Sequence, residues 1–170
     1  MYSIILVDPS KAESLEPLGT KRKYWFRDAE NRRWLFKAEE RKTGEDWAEK
    51  IACELAKRIG LPHVNYELAE EIGTGTPGVV CETFTPPPLA LVLGNELLLK
   101  IDPDYPAGGR RYKVGRHTVD AVAEVLRKLE PPLREHGGNM PSGVSSALDV
   151  FVGYVMFDAW IANQDRHHEN

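Results

Sequence analysis

Residues 147–162 place the tightest limit on how this chain can fold. Leu148, Val150, Phe151, Val152, Tyr154, Val155, Phe157, Trp160 and Ile161 surround much of a single helix. Such a helix has no face to give wholly to water, and it is predicted to be buried. Ser145 or Ser146 can cap its start. A buried helix holds rigidly whatever follows it, which here is Asn163-Gln164-Asp165-Arg166-His167-His168-Glu169-Asn170. Phosphoryl transfer needs a carboxylate to accept or orient the attacking hydroxyl and an amide oxygen to hold a metal beside the phosphates. Asp165 and Asn170, five residues apart, have that composition and spacing. The same run also suits a plain helix end, with Asn163 as the cap and Arg166, His167 and His168 favoured by the helix dipole.

With 170 residues, 42% of them apolar, the chain can bury one sizeable core or two small ones. A net charge of −4 leaves no electrostatic footprint for nucleic acid, so no direct nucleic-acid binding is expected. Cys53 and Cys81 lack metal-ligand spacing and read as buried thiols in a reducing compartment. No apolar run is long enough for a membrane anchor and no leader pattern opens the chain, so the sequence reads as cytoplasmic.

Taken in order, Ser3 to Val7 is β-prone and suits an edge strand, and residues 8–17 form a polar connection. Tyr24 to Arg27 and Arg33 to Lys37 are aromatic-rich strands joined by a turn at residues 28–32. A helix runs from Thr43-Gly44-Glu45 to about Ile59 and is closed by Gly60-Leu61-Pro62. Its period places Trp47, Ala48, Ile51, Ala52, Leu55, Ala56 and Ile59 inward, with Glu49 on the border and Lys50, Glu54, Lys57 and Arg58 outward. Strands over residues 63–72 and 79–84 follow, joined by Gly73-Thr74-Gly75-Thr76-Pro77-Gly78. That loop matches the dinucleotide glycine pattern letter for letter. It leads into a strand rather than a helix, and so reads as a hairpin turn.

Thr85-Pro86-Pro87-Pro88 divides the chain, giving predicted lobes at 1–86 and 87–170. Beyond it, Leu89 to Ile101 is apolar but ambiguous between helix and strand. Residues 102–117 form a loop with Arg110, Arg111, Lys113 and Arg116, and Val119 to Leu129 form an amphipathic helix halted by Pro131-Pro132. A further loop is expected at residues 135–143.

This order of glycine turn, strand pair ending in Lys37, helix carrying Glu49, second strand pair, linker and Asp-Arg-His-x-x-Asn loop resembles the HipA-like bacterial serine/threonine kinases, from about Leu18 to Asn170. The resemblance implies an α+β, protein-kinase-like fold, with an antiparallel-sheet N-lobe bearing one helix and an incomplete helical C-lobe. It implies ATP and Mg²⁺ as cofactors and a protein hydroxyl as acceptor. Gly19, Thr20 and Lys21 then look like a shortened phosphate-covering turn, Lys37 like the lysine that contacts ATP phosphates, and Glu49 like its partner. Glu82, Thr83 and Phe84 look like the hinge that meets adenine. Asp165, with Arg166 and His167, looks like the catalytic loop, and Asn170 like a metal ligand. The family also suggests an antitoxin-type regulator.

Two departures shape the expectation. The first turn has one glycine among basic residues. No second metal-binding Asp follows Asn170 in this sequence, so 170 residues are expected to be a fragment, or a protein unable to complete the chemistry alone. Two alternatives stay open: a non-catalytic nucleotide-binding or interaction module, and a phosphatidylinositol-type lipid kinase whose headgroup contact is the basic loop at Arg110 to Arg116.

Overall fold

The computed structural model describes residues 2–16, 21–132 and 140–170. The chain divides into two compact units, one made of residues up to Arg58 and His63–Pro86, the other of Ile59–Pro62 and Pro87–Asn170.

The first unit is built on a six-stranded sheet of order β1-β5-β6-β4-β3-β2. Its strands are β1 (Ile5–Val7), β2 (Ser14–Leu15), β3 (Lys23–Arg27), β4 (Arg33–Ala38), β5 (Tyr66–Glu71) and β6 (Pro77–Glu82). All pairings are antiparallel except β1 with β5, which is parallel and sits at the edge. The polar connection contains more structure than its composition suggests: a 3-10 turn at Pro9–Lys11 and then β2.

Alternation sends Tyr24, Phe26, Phe36, Ala38 and Val80 into one cluster with Val7 and Ala69. The opposite face of β4 and β6 carries Leu35, Val79 and Cys81, also buried. With both faces covered, Val79-Val80-Cys81 reads as a continuous apolar run. The loop between β5 and β6 is a hairpin turn, as its sequence context requires. Gly73 and Gly75 adopt φ of 87° and 66°, and a Cβ on Gly78 would stand 2.3 Å from the Lys37 carbonyl oxygen.

Helix α1 (Glu45–Ile59) is present as expected but rotated from the face its apolar period suggests. Lys50, Cys53 and Ala56 are buried, whereas Trp47, Ile51 and Ile59 are exposed. Lys50 faces inward because its ammonium reaches two carboxylates, Glu54 at 2.8 Å and Glu67 at 2.9 Å, while its aliphatic stem is covered. Burial opposes the charge on Lys50, but these two carboxylates prevail and raise its pKa. The helix start is anchored by the buried Glu39 carboxylate, which accepts from the Arg41 and Glu45 backbone N–H groups at 2.7 and 2.9 Å.

The second unit holds α2 (Gly94–Ile101), α3 (Val119–Leu126) and α4 (Ala147–Trp160). The ambiguous apolar stretch thus resolves into an extended segment followed by α2. Thr118 caps α3. Ser146 caps α4, with Asp149 completing a capping box. Leu98, Tyr105 and Val125 form a small buried cluster. Helix α4 is not enclosed as predicted: Val150 is buried, but Val152, Val155, Met156 and Trp160 are exposed. The described residues of this unit cover only part of its circumference, and an apolar hollow of about 470 Å³ opens between α2, α3 and α4. Among the described residues, no helix is long and apolar enough to cross a membrane.

The curl of the first unit's sheet is held by a buried carboxylate. Glu71, at the end of β5, accepts from Arg22 at 2.7 and 3.1 Å, Tyr24 Oη at 3.1 Å and Thr74 Oγ1 at 2.7 Å. Strands β5 and β3 are separated by β6 and β4, so this contact spans three strand spacings, roughly 14 Å if the sheet were flat. The Arg22 hydrogen bond, followed by those from Thr74 and Tyr24, outweighs burial and holds the Glu71 pKa below its ordinary 4.5. A depressed folded-state pKa gives stability that is complete above the unfolded value and lost as pH falls through the folded one. Glu71→Gln is therefore expected to cost about 2 kcal/mol at neutral pH in urea unfolding and to flatten the loss of stability below pH 4.5. In the second unit, Val150→Ala should cost about 2 kcal/mol by the same measurement, while Met156→Gln should stay within about 0.5 kcal/mol.

Candidate functional site

The two units carry separate constellations. In the first, the β3–β4 register puts Lys23 directly opposite Lys37. Like charges facing each other across a strand pair are unfavourable, on the order of 0.5 kcal/mol. Burial and then Lys37 depress the pKa of Lys23. Such an arrangement is relieved by anions, and the protein supplies one. Glu49 on α1 meets the Lys37 ammonium at 2.9 Å, so the strand lysine and the helix glutamate that the sequence singled out are brought together. The rotation of α1 that buries Lys50 leaves Glu49 half-buried and turned toward β4.

Tyr66 completes the group, although the sequence did not point to it. Its hydroxyl accepts from Lys37 Nζ at 2.5 Å, and the ammonium lies 4.5 Å from the ring centre. Burial, then the Glu49 charge, pushes the Tyr66 phenol far above its ordinary range, so it stays protonated. Lys37 thus has a fixed direction, held by two partners, with a third N–H remaining for a ligand. Lys21 is tied to Glu45 at 2.5 Å and lies 3.9 Å from Glu49. Gly19 and Thr20, the rest of the expected phosphate-covering turn, lie outside the described residues.

The expected hinge follows directly from β6. Glu82 pairs with Trp34, three residues along from the Lys37–Val79 pair, which places it about 10 Å from Lys37 along the strand. The Thr83 N–H is committed to the Arg33 carbonyl at 2.9 Å, and Phe84 is exposed. Backbone recognition of a ring here would have to use groups other than the Thr83 N–H.

In the second unit, the loop after α4 is a closed, braced turn. Ala162 takes the left-handed conformation at φ 56°, reversing the chain. Asp158 on α4 then accepts from Asn163 Nδ2 at 2.9 Å and Arg166 Nε at 2.7 Å. Arg166 is therefore bound to the helix and positions the loop. His167 is buried. Its backbone N–H donates to Asn170 Oδ1 at 2.9 Å, and its Nδ1 accepts from the Glu169 N–H at 3.2 Å. His168, more deeply buried, meets Tyr105 Oη through Nδ1 at 3.0 Å. Asp165 is exposed at the tip, its backbone N–H held by Asn163 Oδ1 at 3.1 Å.

Gly94, at the start of α2, is the least obvious member of this site. A Cβ there would lie 2.6 Å from the His168 carbonyl oxygen and 2.8 Å from that of Asn170. Only glycine lets α2 approach the loop so closely. Tyr105 and Gly94 were not legible as site residues because each acts on the loop from a distant point in sequence, whereas Asp158 stands only five and eight residues from its partners Asn163 and Arg166 and was hidden in the apolar run of α4.

As a Mg²⁺ site the described residues fall short. Asn170 offers an amide oxygen that already accepts from His167, and no group of three His, Cys, Asp or Glu side chains is placed to share a metal.

No family model matches the sequence, and no curated protein matches it. Among solved structures, the chain is similar to the crystal structure of a Helicobacter pylori proinflammatory kinase, CtkA, with a TM-score of 0.63 at 17% identity. The match covers 96% of this chain and 52% of that one, so the chain spans about half the length of the kinase it resembles. At this identity the likeness establishes architecture, and the architecture is that of a protein-kinase-like α+β fold, an N-lobe with part of a C-lobe.

Proposed function

We propose that this chain carries the nucleotide-binding and catalytic-loop parts of an ATP-dependent protein serine/threonine kinase of the HipA-like type. The observation that carries the reading is the Lys37–Glu49 pair beside Lys23: two lysines opposite each other, one oriented by a helix carboxylate and a tyrosine hydroxyl, make a site for phosphate oxygens. In this reading Lys37 holds ATP phosphates, Glu49 and Tyr66 aim it, and the backbone near Glu82–Phe84 meets the base. Asp165 accepts the proton of a protein hydroxyl, while Arg166, His167 and Asn170 hold the turn that presents it. Mg²⁺ would arrive with the nucleotide, since the described donors do not complete a shell for it. A cytoplasmic setting and an antitoxin-type regulator belong to the same proposal.

The engagement of Asn170 Oδ1 by His167 favours, as a second reading, a nucleotide-binding module without transfer activity. The lipid-kinase alternative is weakened because two of its basic residues are occupied: Arg111 pairs with Glu169 at 3.0 Å and Arg116 with Asp102 at 2.5 Å.

Calorimetric titration with Mg·ATP should show Lys37→Ala binding at least about tenfold more weakly, a loss of roughly 1.4 kcal/mol, with Lys57→Ala on the exposed side of α1 unchanged. Equal affinities would remove Lys37 from the site. For catalysis, the protein expressed from its full reading frame should transfer phosphate to a protein acceptor. Asp165→Asn in that protein should lower the rate at least about 100-fold while leaving ATP affinity within about twofold. Undiminished transfer by that variant would reduce the terminal motif to a helix end.

A further inference from the structure

The loop at residues 102–117 is folded onto the catalytic turn at three points. Tyr105 meets His168, Arg111 pairs with Glu169, and between these the Tyr112 hydroxyl donates to Asp165 Oδ1. The Tyr112 ring stands edge-on to His167, centroids 5.4 Å apart at 81°. The base of the loop is fastened by Arg116, which bonds both Asp102 oxygens at 2.7 and 2.5 Å. Lys113, next to the tyrosine, sits at φ 59°, a conformation uncommon for a residue with a side chain. A loop whose neighbours merely solvated it would have no cause to hold that backbone and aim a hydroxyl at one carboxylate.

We propose that Tyr112 is a phosphoryl acceptor within its own chain, in addition to the serine or threonine hydroxyls of other proteins, its hydroxyl seated on Asp165 where an acceptor hydroxyl must sit for proton removal. The inference rests on the reading of Asp165 as the catalytic carboxylate. In the step, the bond between the γ-phosphorus of ATP and its bridging oxygen breaks, and the Tyr112 Oη–phosphorus bond forms. The phenolic proton passes to Asp165, and the bridging electron pair leaves with ADP. The Asp165 hydrogen bond, aided by partial burial, raises the Tyr112 pKa, so the phenol holds its proton until it is taken in that step. The product is a phosphotyrosine dianion beside two carboxylates, Asp165 and Glu169, with two basic neighbours along the loop, Arg110 and Lys113, Arg111 being held by Glu169. Repulsion from the first pair and attraction to the second draw it off Asp165, freeing that carboxylate for another acceptor. With half of its surface exposed, Tyr112 has room to make that movement.

The test uses the protein expressed from its full reading frame, incubated with Mg·ATP, with peptides mapped by mass spectrometry and dephosphorylated casein as a second acceptor. The expected result is phosphotyrosine at position 112, formed at a rate independent of protein concentration, as an intramolecular step requires. It should be lost entirely in Tyr112→Phe and in Asp165→Asn, the latter still binding ATP. Phosphate on casein or on other residues with none on Tyr112 overturns the proposal and leaves the kinase reading standing. Modification of Tyr112 that rises with protein concentration overturns the intramolecular seat. Bound ATP with no transfer to Tyr112, casein or water overturns the catalytic reading of Asp165, and the proposal with it.

Discussion

A single buried carboxylate governs the geometry of the first unit. Glu71 has 2% of its surface exposed, and its charge is acceptable there only because Arg22, Tyr24 and Thr74 direct donors at it together. Since Tyr24 and Glu71 stand on strands with two others between them, satisfying the carboxylate bends the sheet. The bend closes Tyr24, Phe26 and Phe36 into the core, with the Tyr24 and Phe36 ring centres 5.2 Å apart. It leaves the opposite face of β4 to α1. The site inherits its order from this arrangement, because Lys37 lies on that opposite face and meets α1 through Glu49.

Both constellations share a physical plan: a charged group held by hydrogen-bonded neighbours. Lys37 is aimed by Glu49 and Tyr66. Asp165 is carried on a turn braced at four residues, Asn163 and Arg166 by Asp158, His167 by Asn170, and His168 by Tyr105. Such pre-organisation is what phosphoryl transfer asks of a protein, since positioning and charge do most of the work. The exposed apolar residues of α4 stand on the same helix that anchors this turn, and its buried side, through Val150 and Asp158, suffices to fix it.

The sequence determined most of the elements and their order, β2 and the helical nature of α2 excepted. The aromatic hairpin, the span of α1, the turn nature of the Gly73–Gly78 loop and the Ser146 cap of α4 all follow from side-chain period and turn chemistry, which act between residues a few positions apart. It also picked out Lys37 and Glu49, whose meeting was expected from a resemblance in order and whose contact the fold supplies.

Tertiary structure alone decided how the helices are turned and what the site residues touch. The period of α1 favoured Trp47 and Ile51 inward, yet Lys50 is buried instead, because Glu67 on a strand completes its ion pairs. The all-round apolar α4 was expected to be enclosed, but enclosure depends on how many neighbours the fold provides. Two of the partners that shape the turn around Asp165 come from far along the chain, Tyr105 at a separation of 63 residues and Tyr112 at 53. No local pattern records such pairs. A periodicity states which residues prefer to leave water, whereas burial of a charge, the approach of Gly94 to a backbone and the seat of Tyr112 on Asp165 exist only once packing has brought distant segments within a few ångströms.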